Sequence, residues 1–286
     1  YYIVRVTREN LTRLSALPEV EYIEKPKALY FAVYDAVLAS CIQPVRRPPY
    51  GLDGRGVIVG IVDSGVDIYH PDFRNEDGTT RIIGFWDQAA EGDGPPGYPM
   101  GRYYTEEELN RILESPERRT GFDLSGHGTH VAGIAAGNGR ASLSENQGVA
   151  YAADILVVKL RPRRAGGFPQ TAELMMAADF CVRTAISRAQ PLALNLSYGN
   201  NYGAHNGTSL IETYLDTLAG TGRTTICVGS GNSGQEGRHA SGLVRTGESY
   251  RSEFILAPGE LSFSLQIWKN YTDRFRIVLS APSGSR

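Results

Sequence analysis

Short apolar runs alternate with longer amphipathic ones along most of the chain. VIVGIVD (57–63) is nearly all apolar, as in a strand buried on both faces. DILVVKL (154–160), LALNLS (192–197) and TTICVGS (224–230) repeat that character. Between them, TAELMMAADFCVRTAISRA (171–189) and TSLIETYLDTLAG (208–220) have helical length and good helix formers. Strand–helix repetition of this kind predicts an α/β fold, a parallel sheet with helices on both faces. Ligands of such folds sit at the carboxyl ends of the strands. Asp63, Asn195 and Asn232 all fall at or just after predicted strand ends.

The flanks read differently. Residues 1–34 predict strand, helix, strand: YYIVRV, then ENLTRLSALP with Leu11, Leu14 and Leu17 on one face and Pro18 as its stop, then EVEYIEKP. So small a unit should pack on something larger. Residues 35–53 read as a connector, part of the Pro-, Gly- and Arg-rich run IQPVRRPPYGLDGRG. Residues 86–120 read as a long polar insertion with its own acidic helix start, TEEELNRILE. From 235 to 286, SEFILAP, ELSFSLQIWK and RFRIVLSAP alternate between turns, the expected opening of an antiparallel β domain, a sandwich or jelly roll. A first residue Tyr1 inside a strand-like run, and an abrupt last residue Arg286, predict a piece of a longer precursor.

Composition narrows the classes. At 41% apolar and 21% charged residues with a net charge of −2, the chain has material for a full core and no signature of a nucleic-acid binder. No apolar run approaches the roughly 20 residues of a membrane helix, and no signal peptide is visible. The 33 glycines suit tight turns and close helix–strand contacts. Cys41, Cys181 and Cys227 are odd in number and far apart, so they make no disulfide framework; the plain expectation is three buried thiols.

Three stretches carry candidate chemistry. In GIVDSGVDIYHPDF (60–73) an apolar strand delivers Asp63 into a Ser-Gly turn, where a desolvated carboxylate needs a donor partner. In SGHGTHVAGIAAG (125–137) two histidines, His127 and His130, stand three apart. A metal pair would need a third ligand nearby, and Gly128 occupies the glutamate position of the H-E-x-x-H pattern. One histidine as a base beside a packed neighbour is the other reading. In CVGSGNSG (227–234) a glycine-rich turn presents Asn232, whose amide can donate to an oxyanion. Each stretch alone has an ordinary structural explanation; the three in this order do not share one.

Together, DSGVD…HPDF, HGTHVAGIAAG and GSGNSG resemble the subtilisin-like serine proteases over about residues 54–234. The resemblance implies that Asp63 orients His127, that His127 acts as general base and then acid, and that Asn232 donates to the tetrahedral intermediate. His130 then becomes the packed neighbour. LNLSYGN (194–200) is similar to the family's substrate-binding strand, implying that Ser197, Tyr198 and Gly199 pair through their backbone with an extended peptide. The family's nucleophile sits in a G-T-S-x-A-x-P block after the oxyanion asparagine. The one GTS here, Gly207–Ser209, precedes Asn232 and leads into Leu-Ile-Glu, so Thr208 or Ser209 is read as a helix cap with Glu212 in the first turns. The nucleophilic serine is expected beyond Arg286, and this stretch alone is expected to be inactive.

No cofactor is expected. Asp72 matches a position that ligates calcium in some members, but the loop GNGRASLSENQG departs from the family, and no calcium site is predicted. Residues 1–34 resemble the end of an inhibitory propeptide, acting in cis or trans, with processing between about Tyr30 and Arg47. The β run after Asn232 resembles the jelly roll inserted in the germination proteases of spore-forming bacteria. That implies an extracytoplasmic or spore-associated protein that cleaves a cortex-hydrolase precursor. The partners implied are protein or peptide substrates, with neither nucleic acid nor membrane. A rival reading is a pseudoprotease that only binds other germination proteins; the residue in the unseen G-T-S block would separate the two. A dinucleotide site at GRGVIVG fails because its glycines precede the strand. Trp268 and Tyr271 are explained by core and turn as well as by carbohydrate binding, and RPRRAGG (161–167) by a solvated loop.

Overall fold

Six strands form one sheet in a computed structural model of the chain, which describes residues 6–20, 39–161, 169–200, 203–256, 259 and 262–281. The strands are β1 (Ile58–Asp63), β2 (Ile82–Asp87), β3 (Arg102–Thr105), β4 (Asp154–Lys159), β5 (Leu192–Leu196) and β6 (Thr224–Val228). Their order across the sheet is β3-β2-β4-β1-β5-β6. All pairings are parallel except β2 with β3, which is antiparallel. β1 therefore lies in the interior, between β4 and β5, with Asp63 opposite Lys159. The predicted parallel sheet is present, with one antiparallel edge.

Alternation along β1 sorts its side chains onto the two faces. Ile58 and Val62 join a core with Leu156, Val158, Leu194 and Leu196, covered by α5 (Thr171–Ser187) and α6 (Leu210–Ala219). Val59 and Ile61 join the opposite core with Ile155, Val157 and Phe85, covered by α3 (Glu106–Glu114) and α4 (His127–Ala136). Asp63 shares the parity of Val59 and Ile61, so its side chain belongs to the face that α4 covers. Gly60 faces the other side, where an added Cβ would stand 2.8 Å from a Leu194 methyl. That close approach is what a glycine in mid-strand permits.

The 86–120 segment is less of an insertion than its polarity implied. It begins at the end of β2 and includes β3 and α3. Thr105 caps α3 in a reciprocal box with Glu108, as the acidic run TEEEL predicts. Trp86, Tyr98 and Tyr103 each meet Phe180 edge to face and tie the segment onto α5. β2 escapes the sequence reading because IIGFWD is short and runs straight into polar residues.

At the N-terminus, α1 (Arg8–Ser15) forms with Thr7 as its cap, and α2 (Ile42–Arg46) lies in the connector. Arg46 reaches the carbonyls of Gly148 and Val149, fastening the connector to the loop after α4. Most of the strands expected at YYIVRV and EVEYIEKP, and most of RPRRAGG, lie outside the described residues.

Several expectations change. The described residues of 235–281 include neither helix nor strand, so the β domain expected there is not shown. Phe254, Ile255 and Trp268 are exposed there, so Trp268 is no core residue, and Tyr271 sits exposed in a turn. Alternation marks a strand's faces, but a strand also needs a neighbour for its hydrogen bonds and a layer to cover its apolar side. The three thiols are not all buried either. Cys181 is, on α5, whereas Cys41 and Cys227 are exposed.

Candidate active site

The carboxyl end of β1 is where the sheet's connections diverge, and it holds Asp63. The side chain is fully buried. Its Oδ1 accepts the Ser64 amide at 2.6 Å and stands 2.7 Å from His127 Nδ1. An Nδ1–H donating to Asp63 fixes the imidazole tautomer and leaves Nε2 on the far side of the ring. His127 is 54% exposed against 0% for its partner, so the pair joins a dry anchor to a solvent-facing base. Among the described residues, Asp63 Oδ2 has no hydrogen-bond partner.

Glycine allows this approach. An added Cβ on Gly128 would lie 2.0 Å from the Gly65 carbonyl and 3.1 Å from Asp63 Cβ, so the first turn of α4 rests directly on the turn after β1. Farther along, the small residues Ala132 and Ala136 keep α4 down on the sheet. His130 is exposed, not packed. It lies off the Gly128–Ala132–Ala136 stripe, and the helical period turns it outward.

β5 brings in the neighbouring wall. Asn195 Nδ2 donates to Ser197 Oγ at 2.8 Å, bracing the segment that leaves the strand. The Tyr198 ring meets His127 edge to face at 6.3 Å between centroids. Burial, then the charges of Asp63 and Asp123, hold the Tyr198 phenol above its ordinary range, keeping it protonated beside the histidine. Gly199 is exposed.

Asn232 stands beyond β6, two strands from β1, a separation of about 10 Å at ordinary strand spacing. The Gly229 amide donates to the Leu196 carbonyl at 3.0 Å, which anchors the start of the CVGSGNSG turn to β5. Gly231 has φ +87°, the left-handed conformation that glycine favours there. Asn232 itself is exposed. The structure thus joins Asp63, His127 and Tyr198 directly and puts Ser197, Gly199 and Asn232 on the same edge.

Ser209 is the cap that its sequence implied. Its Oγ accepts the Glu212 amide while Glu212 answers at the Ser209 amide, a complete capping box at the start of α6.

Sequence reasoning missed Asp123, four residues before His127. Its Oδ1 accepts Ser64 Oγ (2.9 Å) and the Gly126 amide (3.0 Å), and its Oδ2 accepts the amide (2.9 Å) and hydroxyl (2.6 Å) of Thr129. Burial alone would raise its pKa, but the hydrogen bonds from Thr129, Gly126 and Ser64 outweigh it and hold the carboxyl below its ordinary range. An acidic residue just ahead of a Gly/Ala-rich helix was the available signal. Lys159 was missed too: its ammonium meets Asp87 Oδ2 at 2.8 Å and the Gly121 carbonyl at 2.6 Å.

Around Asp72, the carboxylate accepts the Ala141 amide at 2.8 Å. The carbonyls of Asp72, Ala136 and Ala153 converge on the buried Arg81 guanidinium at 2.9, 2.7 and 2.7 Å.

Residues 54–257 match the peptidase S8 model, the subtilase family, and the chain belongs to that family. It resembles the Csp-type proteases: the solved CspB protease of Clostridium perfringens is 35% identical, with a TM-score of 0.64 over 72% of this chain and 41% of that one. Subtilisin-like protease 3 of Arthroderma otae is 28% identical over 81% of this chain and 47% of its own length. Serine protease AprX of Bacillus subtilis is 26% identical over 70% of this chain and 38% of its own. The chain spans less than half the length of each of these relatives.

Proposed function

We propose that the whole protein is a serine endopeptidase that uses Asp63, His127 and a serine from outside residues 1–286. The observation that carries this is the 2.7 Å contact between His127 Nδ1 and the buried Asp63 carboxylate. Asp63 holds the imidazole with Nε2 outward and stabilises the imidazolium that forms. His127 Nε2 takes the serine hydroxyl proton as oxygen attacks the scissile carbonyl, then passes it to the leaving amine. Water repeats the sequence on the acyl-enzyme. Asn232 donates its side-chain amide to the carbonyl oxygen as negative charge develops there. The backbone of Ser197, Tyr198 and Gly199, continuing β5, receives an extended peptide as an added strand.

The finer reading follows the family resemblance. Residues 1–34 serve as the end of an inhibitory propeptide, and the run from 235 opens an inserted β domain. The substrate is a spore cortex hydrolase precursor, cut once, in an extracytoplasmic or spore setting. No metal or cofactor takes part in the proposed chemistry. Ser209 is spoken for by its capping box, which favours a nucleophile from elsewhere.

The test uses the full-length protein and a fluorophosphonate probe. Labelling of one serine is expected, and His127→Ala should abolish it; loss of a triad histidine costs about 10⁶-fold in subtilisin. Labelling that is unchanged in His127→Ala would refute the assignment.

A further inference from the structure

We propose that Asp123 is a positioning residue for His127, setting the register between the start of α4 and the end of β1. The proposal rests on the acid–base pairing proposed for Asp63 and His127 and deepens it.

The first turn of a helix leaves backbone amides without intrahelical partners. Gly126, at the cap position of α4, has no side chain to serve them. Asp123 does so from three residues upstream. It accepts the amides of Gly126 and Thr129 directly, at 3.0 and 2.9 Å. The two amides between them are one hydroxyl away. His127 N donates to Ser125 Oγ at 3.1 Å, and Gly128 N to Ser64 Oγ at 3.0 Å. Both hydroxyls in turn contact Asp123 Oδ1, at 3.4 and 2.9 Å. Four consecutive amides thus depend on one carboxylate, and a negative charge there also suits the helix dipole.

The same carboxylate reaches across to the strand. Ser64 follows Asp63 directly, so Asp123 holds the residue next to the buried acid and the turn that carries the base. Gly65 pairs with Asp123 as an isolated antiparallel bridge. Thr129 Oγ1, bound to Asp123 Oδ2, also accepts the Asp67 amide at 2.9 Å. Lys159 grips the Gly121 carbonyl and fixes the loop from behind. Apolar packing of α4 cannot set so fine a register, because its sheet-facing stripe is only glycine and alanine. A short hydrogen bond between Asp63 and His127 is sensitive to displacements of a few tenths of an ångström, and a directional network supplies that control.

The decisive readout is spectroscopic. In the 286-residue chain with ¹⁵N-labelled histidine, the His127 Nδ1 proton should resonate far downfield. Asp123→Asn keeps the size of the side chain but turns one acceptor into a donor facing backbone amides. It should move or broaden the Nδ1 signal, while hydrogen exchange in β1 and β4 stays unchanged. In the full-length enzyme kcat should fall about 10²-fold, the scale of a misplaced catalytic group, with KM held. If Asp123→Asn does not fold, Ser64→Ala removes the hydroxyl that links Asp123 to the residue after Asp63 and to the Gly128 amide, and should shift the same signal. A folded variant with the Nδ1 signal and kcat both intact, and only a lower melting temperature, would overturn the proposal. Absence of the downfield proton in the unsubstituted chain would instead overturn the Asp63–His127 pairing, and this proposal with it.

Discussion

β1 and β6 belong to one sheet, two strands apart, yet their surroundings are opposite. All six residues of β1 are buried, and none of the five in β6 is. β1 has hydrogen-bonded neighbours on both sides and helices on both faces, whereas β6, among the described residues, pairs only with β5 and has α6 against it. The chemistry follows the burial. At the end of β1 a desolvated carboxylate meets its imidazole, and six hydrogen bonds through Asp123 hold the two elements together. At the end of β6, Asn232 waits on an open turn. Half of the proposed site is built on a fully buried strand; the other half follows a strand with no fully buried residue.

The contrast can be broken by substitution. The largest effect is expected from a matched tryptophan pair. Trp86→Ala removes a fully buried ring stacked on Tyr98 and Phe180, and should cost about 3–5 kcal/mol in a denaturant titration. Trp268→Ala, in the open segment, should stay within about 0.5 kcal/mol. Equal losses would mean that the two regions share one cooperative core.

A smaller effect is expected at the α6 cap. Ser209→Ala removes the hydroxyl of the capping box and should destabilise by about 1 kcal/mol. Fluorophosphonate labelling of the full-length protein should survive that change; its loss would make Ser209 the nucleophile and remove the downstream serine from the mechanism.

The mildest probe leaves the fold untouched. Iodoacetamide followed by mass spectrometry should modify Cys41 and Cys227 in the native chain and spare Cys181. Burial pushes the Cys181 thiol well above its ordinary value, so almost no thiolate is present to react. Protection of Cys227 would show that β6 is covered in solution and would narrow the difference from β1.

Much of this architecture could be read from residue order. The four runs VIVGIVD, DILVVKL, LALNLS and TTICVGS are strands, and the two long amphipathic runs are helices, because their periods and formers act over a few residues. The acidic start of α3 and a cap at Thr208 or Ser209 were equally plain, since capping chemistry is local. β2 was not, because a six-residue apolar run bordered by polar residues shows no period of its own. After residue 235 the alternation is clear, but the described residues carry no strand there, because alternation states which face would be buried, not what would bury it.

The site divides along the same line. Asp63, His127 and Asn232 could be nominated from their glycine-rich settings. Asp123 could not be distinguished from any acid ahead of a helix until Ser64, Gly126 and Thr129 were seen around it. His130 and Cys227 were expected inside and are outside, because facing depends on what a helix or an edge strand packs against.

By itself, then, the order of residues determined four of the six strands, the two long helices, a cap near Ser209 and the identity of the candidate acid and base. Tertiary structure alone decided that β1 sits between β4 and β5, that Asp63 lies 2.7 Å from a histidine 64 residues away, and that one aspartate holds both in register. Local preference is settled within a turn or two of chain. Sheet order and side-chain convergence depend on which apolar faces can be buried together, and that is a property of the whole packed molecule.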